Sequence, residues 1–124
     1  MAAANLDLLI EQGTTFKRTI TVKNSLDVEV DLTGSTFRGQ IRKTPSSQTV
    51  AATFVCTLLN QITDTGKVDI VISAENTALI PLATASKPLL TSENFVYNIE
   101  WVKPDSSVVR ILEGLAIVSP EVTK

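Results

Sequence analysis

Two glutamates, Glu100 and Glu113, stand on strand-forming runs that flank the turn Pro104-Asp-Ser-Ser107, and a hairpin there would set them across from one another. Paired carboxylates can divide general-acid and general-base roles. Their alternate neighbours are Asn98 and Val102, or Ile111 and Leu115, and no aromatic-lined cleft surrounds them, so a solvated or salt-bridged pair is the preferred reading. The chain holds no histidine. That removes the commonest general base and metal ligand, and with them every Ser-His or Cys-His nucleophile pair. Asp64 and Asp69 with Thr63 and Thr65 match no calcium cage and read as turn residues. The glycines Gly13, Gly34, Gly39, Gly66 and Gly114 are isolated, so no phosphate loop is present. Phe95, Tyr97 and Trp101 fall on one face of a strand, where a core ladder is expected and a sugar- or base-stacking platform is the alternative. Catalytic residues, a metal and a cofactor are therefore not expected.

The lone cysteine, Cys56, sits in the apolar run Phe54-Val-Cys56, so no internal disulfide can form and a reducing compartment is expected. A buried small hydrophobe fits it better than a reactive thiol. At 124 residues, with 44% hydrophobic and 19% charged residues, the chain can bury a core without staples and reads as one domain over 1–124. Net charge is −2, and the Lys and Arg are scattered except at Arg38, Arg42 and Lys43, so a nucleic-acid partner is not expected. No run of 18 apolar residues marks a membrane span, and Met1–Asp7 lacks a basic leader segment, which points to a soluble protein made in the cytosol.

Strands must carry these side chains. Leu6–Ile10 is a short apolar run, with 1–12 read as an N-terminal arm or edge strand, and Thr14–Lys23 alternates with Phe16, Ile20 and Val22 inward. Val28–Leu32 reads as a short strand. Ser35–Lys43 puts Phe37 and Ile41 on the core side, with Gly39 marking a bulge or a close approach, and Arg38 and Arg42 on the polar face. Val50–Leu59 and Lys67–Ser73 follow as strands. Ser73 is a cap for a short helix over Ala74–Ile80, with Glu75 near enough for a capping-box-like start. Pro81–Glu93 is a long loop whose Leu89-Leu90 is a candidate contact arm. Turn signals every 8 to 12 residues, seven or eight strands and one helix together predict an all-β, immunoglobulin-like antiparallel β-sandwich.

In the last strand, alternation places Leu112, Gly114, Ala116 and Val118 on one face and Val109, Ile111, Leu115 and Ile117 on the other. Both faces are apolar. A lone sandwich can hide only one, so the second predicts a partner. The candidate contact residues are Leu6, Leu8, Leu9 and Ile10 with Val109, Ile111, Leu115 and Ile117, weighed against burial inside the chain's own second sheet.

The segments Ile10-Glu-Gln-Gly-Thr-Thr-Phe16, Val30-Asp-Leu-Thr-Gly-Ser-Thr-Phe-Arg-Gly-Gln-Ile-Arg42, Arg110-Ile-Leu-Glu-Gly114 and Val118-Ser-Pro-Glu-Val-Thr123 resemble a family of small virion β-sandwich proteins of tailed bacteriophages. The likeness runs through nearly the whole chain in order. It implies a collar or tail-fibre attachment protein or a capsid cement (decoration) protein, with no catalytic residue to carry over. The expectation is a non-enzymatic virion protein on the outer capsid surface or at the neck or tail. It would bind the major capsid protein or another virion protein as a homo-oligomer, a trimer favoured. A neck or baseplate adaptor for fibres is the alternative, and a carbohydrate-binding module using Phe95, Tyr97 and Trp101 is the alternative of another class.

Overall fold

A computed structural model of the chain describes residues 3–83 and 91–123. Two-residue periodicity governs nearly all of it. In β6 (Lys67–Ile72) the alternate residues Val68, Ile70 and Ile72 are fully enclosed, and in β7 (Glu93–Val102) Phe95, Tyr97, Ile99 and Trp101 point inward. β4 (Thr36–Arg42) turns Phe37, Gly39 and Ile41 toward them, as expected from its pattern. Gly39 marks a close approach. A methyl group there would strike the Ile99 side chain and come within 2.8 Å of the Asn98 carbonyl.

One sheet runs β8 (Val108–Ser119), β7, β4, with β1 (Ala4–Asn5) and β2 (Leu8–Glu11) laid along the outer side of β8. The other runs β3 (Phe16–Thr21), β6, β5 (Ala52–Leu58). β5 belongs to both, because Ala52–Phe54 pair with β4 and Val55–Leu58 pair with β6. The order places β4, β7 and β8 where strands C, F and G of an immunoglobulin sandwich lie, and β3, β6 and the end of β5 where B, E and D lie. The expected all-β, immunoglobulin-like class, with eight strands and one short helix, is the class observed.

Two details depart from expectation. The pairing is mixed, since β1 and β2 run parallel to β8. Val28–Leu32 forms no strand and is tied instead by the isolated bridge Lys23–Glu29 and by bonds from Asn24 N to the Val28 carbonyl (2.9 Å), Val30 N to the Val22 carbonyl (3.0 Å) and Leu32 N to Gln61 Oε1 (3.0 Å). Asn24 explains the second departure: its Oδ1 accepts from Leu26 N and Val28 N, holding the segment as an Asx-type turn.

The core divides into a large cluster between the sheets and a smaller one at one end, formed by Val22, Leu32 and Trp101. Phe54 ties the large cluster across the sheets, meeting Phe16 and Tyr97 edge to face at 6.1 and 5.9 Å. Trp101 stacks on Phe37 at 6.3 Å.

The helix α1 (Ala74–Ala78) begins where Ser73 was expected to cap it, with Ser73 Oγ accepting from Asn76 N at 3.2 Å. Its buried Thr77 joins it to the turn after β2. Thr77 Oγ1 accepts from Gly13 N at 3.0 Å and donates to the Thr14 carbonyl at 2.8 Å. Replacing Thr77 by Val keeps the shape and strands the Gly13 amide and the Thr14 carbonyl away from water. Thr77→Val should therefore lose about 1–3 kcal/mol of unfolding free energy in denaturant titrations, and Thr77→Ser distinctly less.

Candidate contact surface

Opposite the Ile99–Glu100 step of β7, the last strand carries one extra residue. Glu100 pairs with Arg110 and Ile99 with Leu112, which leaves Ile111 as a β-bulge. The bulge inverts the alternation. Before it, Val109 pairs with Trp101 and packs in the smaller cluster; after it, Leu112, Ala116 and Val118 face the core; Ile111 itself packs against both clusters. The two apolar faces read from sequence are thus largely one inward face that changes parity.

That corrects the expected contact set. Leu8 and Ile10 are sealed in the main core, with Leu6 packed against it, and Val109 and Ile111 serve the chain's own clusters. Leu9, Leu115 and Ile117 remain outside. Leu9 is 73% exposed, while Leu115 and Ile117 are half-buried. The register sets Leu9 beside Ile117 and Leu115 beside Val96, so they gather into one aliphatic patch on the outer surface of the β2-β8-β7 sheet. The suggested Leu89-Leu90 contact arm lies outside the described residues.

From this patch the sheet curls into an open trough of about 990 Å³, which Val96 and Leu115 help to line. Arg38, Gln40 and Arg42 of β4 line it from one side and Arg110 and Glu113 of β8 from the other. The turn register sets Arg110 opposite Glu100, and beyond the bulge Glu113 stands opposite Asn98, so the paired-carboxylate arrangement is not assembled. Each glutamate takes its own arginine: Arg38 Nε donates to Glu100 at 2.8 Å, and Arg110 lies 3.3 Å from Glu113. Arg42 is spent on the Ser47 carbonyl and Gln40 Oε1.

The remaining chemical candidates resolve into structure. Phe95, Tyr97 and Trp101 are 2%, 4% and 7% exposed, which closes the sugar-stacking platform, and the ammonium groups of Lys43 and Lys103 cover Phe95 and Trp101 at 4.8 and 4.9 Å. Asp69 pairs with Lys17 and Asp64 with Lys67, and among the described residues no three acidic, cysteine or histidine side chains cluster as metal ligands. Cys56 is half-buried, and its burial pushes the thiol up to about 11.

Sequence reasoning missed how the arm is fastened. Leu6 N donates to the Glu113 carbonyl and Gln12 N to the Ser119 carbonyl, at 2.9 and 3.0 Å. Between them the Leu6 carbonyl accepts from the Tyr97 hydroxyl at 2.6 Å, and Asp7 Oδ1 accepts from Leu115 N at 3.2 Å. Gly114 allows this approach, because any Cβ there would collide with the Leu6 carbonyl. Gln12 then clamps three segments, donating to the Ile80 carbonyl at 3.0 Å and accepting from Glu121 N at 2.9 Å. Only Gly114 carried a readable signal, as an isolated glycine in a strand.

No family model matches the chain, and no curated protein matches it. Among solved structures it is similar to murine CRIg, at 12% identity and a TM-score of 0.35, over 95% of this chain and 92% of that one. So loose a likeness bears nothing on function.

Burial, followed by the nearby Asp7 charge, raises the Tyr97 hydroxyl to about 12, outweighing the opposite pull of Arg18. Tyr97 and Cys56 both hold their protons more tightly folded than unfolded. Their contribution is complete below pH 9 and is lost as pH climbs, through the Cys56 range of 9 to about 11 and the Tyr97 range of 10 to about 12. Unfolding free energy measured across this window should fall, and Cys56→Ala with Tyr97→Phe should flatten the decline. Tyr97→Phe should also cost about 0.5–1.5 kcal/mol at neutral pH and speed amide exchange along the arm.

Proposed function

We propose that this chain is a non-enzymatic structural protein of a tailed-phage virion, a cement protein that binds the outer capsid surface as an oligomer and braces the shell. The observation that carries the reading is the aliphatic patch of Leu9, Val96, Leu115 and Ile117, set on a rigid sheet and not enclosed by the chain's own core. Support also comes from the ion pairing of Glu100 and Glu113, which ties up the carboxylates best placed for chemistry. A stable protein contact buries about 800 Å² on each partner, so the patch would form the centre of a contact completed by the charged side chains of the trough that Val96 and Leu115 help to line. Repetition over a shell then multiplies a modest contact into strong bracing.

The test is to add the purified protein to capsids lacking it and record the temperature at which they release DNA. Addition should raise that temperature, and particles should carry many copies spread over the shell. A few copies at one vertex would make the protein a neck or baseplate connector instead, and no affinity for virions would end the reading. Leu9→Ser combined with Ile117→Thr should weaken capsid binding at least about tenfold, the equivalent of 1.4 kcal/mol. Leu9→Ser alone should leave unfolding free energy within about 0.5 kcal/mol of the parent, since Leu9 is exposed.

A further inference from the structure

Both lateral edges of the sandwich are open on the side where the chain passes from one sheet to the other. Leu6 and Gln12 point their amides at β8, and the strand period sets Leu8 and Ile10 alike, so the amides of Leu9 and Glu11 face away from β8. Val22 N donates to the Gly66 carbonyl at 2.7 Å. The same period in β3 therefore turns the amides of Lys17, Thr19 and Thr21 away from β6. Among the described residues no strand pairs with either outward edge, and only the Glu11 carbonyl at its end is engaged, by Thr14 N and Thr14 Oγ1 at 3.1 and 2.7 Å. Four residues separate β2 from β3, and Thr14 N turns back onto the Glu11 carbonyl at 3.1 Å, so the two edges lie on one flank.

The first edge is acidic, and the second offers one cation, Lys17, which lies 3.6 Å from Asp69 on β6. Asp7, Leu9 and Glu11 project outward from the first and Lys17, Thr19 and Thr21 from the second, all exposed. Pairing β2 antiparallel with another β2 about Leu9 would set Asp7 opposite Glu11, a like-charge contact that destabilises a ladder. Pairing β2 antiparallel with β3 of a second copy, Leu9 opposite Thr19, sets Glu11 opposite Lys17. It also matches outward amide with outward amide, as an antiparallel hydrogen-bonded pair requires.

We propose that two copies of this chain join flank to flank, β2 of each adding antiparallel to β3 of the other, so that each sheet continues into its partner's opposite sheet. The contact is two-fold and self-complementary. Sheets packed about 10 Å apart in both copies let the two ladders form together. All four open edges close in one step, which removes the hazard of unpaired strands. The side chains of Leu9 and Ile117 stay on the outer face, so the dimer rests on the cement reading only in leaving that surface free for a shell. It is a dimer where the family resemblance implied a trimer.

Sedimentation equilibrium of the unmodified chain should show a monomer–dimer equilibrium, and amide exchange at Leu9, Glu11, Lys17 and Thr19 should slow as concentration rises through it. Glu11→Lys alone and Lys17→Glu alone should each raise the dissociation constant about tenfold or more, while the double reversal restores pairing. A chain that stays monomeric at millimolar concentration overturns the proposal. So does a dimer whose edge amides exchange unchanged, or one indifferent to both reversals. Capsid bracing by such a monomer would leave the cement reading standing while this one fails.

Discussion

The seam between the N-terminal arm and β8 is the constraint on which the rest of this sandwich depends. β8 has β7 on one side and only the arm on the other, and the arm supplies Leu8 and Ile10 to a core that those strands do not close by themselves. Burying two such side chains is worth roughly 3–6 kcal/mol, a large share of the stability of a small domain. The arm gains little from its own propensity, being two short strands broken at Leu6–Asp7. It holds because Gly114 lets its backbone come close, Tyr97 and Asp7 satisfy the polar groups freed at the break, and Gln12 anchors its far end to the helix and the C-terminal tail.

That arrangement explains which parts of the fold were legible in the sequence. Strands with strict alternation, such as Phe95 to Trp101 or Val68 to Ile72, declare their faces because each inward residue is apolar and period two leaves no second solution. Ser73 declares the helix start in the same way, since a hydroxyl before Ala-Glu-Asn-Thr satisfies an orphan amide locally. The parity of β8 was not legible. Val108, Val109, Ile111, Leu112 and Leu115 offer apolar residues at both parities, and the position of the extra residue is fixed by what β7 places opposite it, Ile99 and then Glu100. Register of that kind is a property of two strands, not of one. The Gln12 clamp was equally hidden, because its partners lie more than sixty residues away.

The same bulge decides what the outer surface can do. The turn register sets Arg110 opposite Glu100, and the bulge, by dropping Ile111 inward, then moves Glu113 to the outer face opposite Asn98, so a hairpin that reads as two facing glutamates becomes two arginine–glutamate pairs lining a trough. Exposed pairs of this kind contribute little stability, about 0–1 kcal/mol each. Their effect is on recognition. The arginines and glutamates lining the trough are already paired, and Leu9, Val96, Leu115 and Ile117, two of which line it as well, are left as the part of this surface with most to gain from leaving water.

Committing the arm to β8 has a cost on the opposite sheet. In a sandwich of this order the strand preceding β3 is the natural neighbour for its free edge, and here that strand has gone wholly to the other sheet. β3 is left with outward amides and Lys17 among threonines, and β2 with outward amides and an acidic row, on the same flank. Natural edges are commonly guarded by charge, and either row alone would serve as such a guard. Side by side they do something different: the acidic row opposes pairing with its own copy, and Glu11 meets Lys17 only in the crossed arrangement, so charge selects the crossed pairing between two molecules.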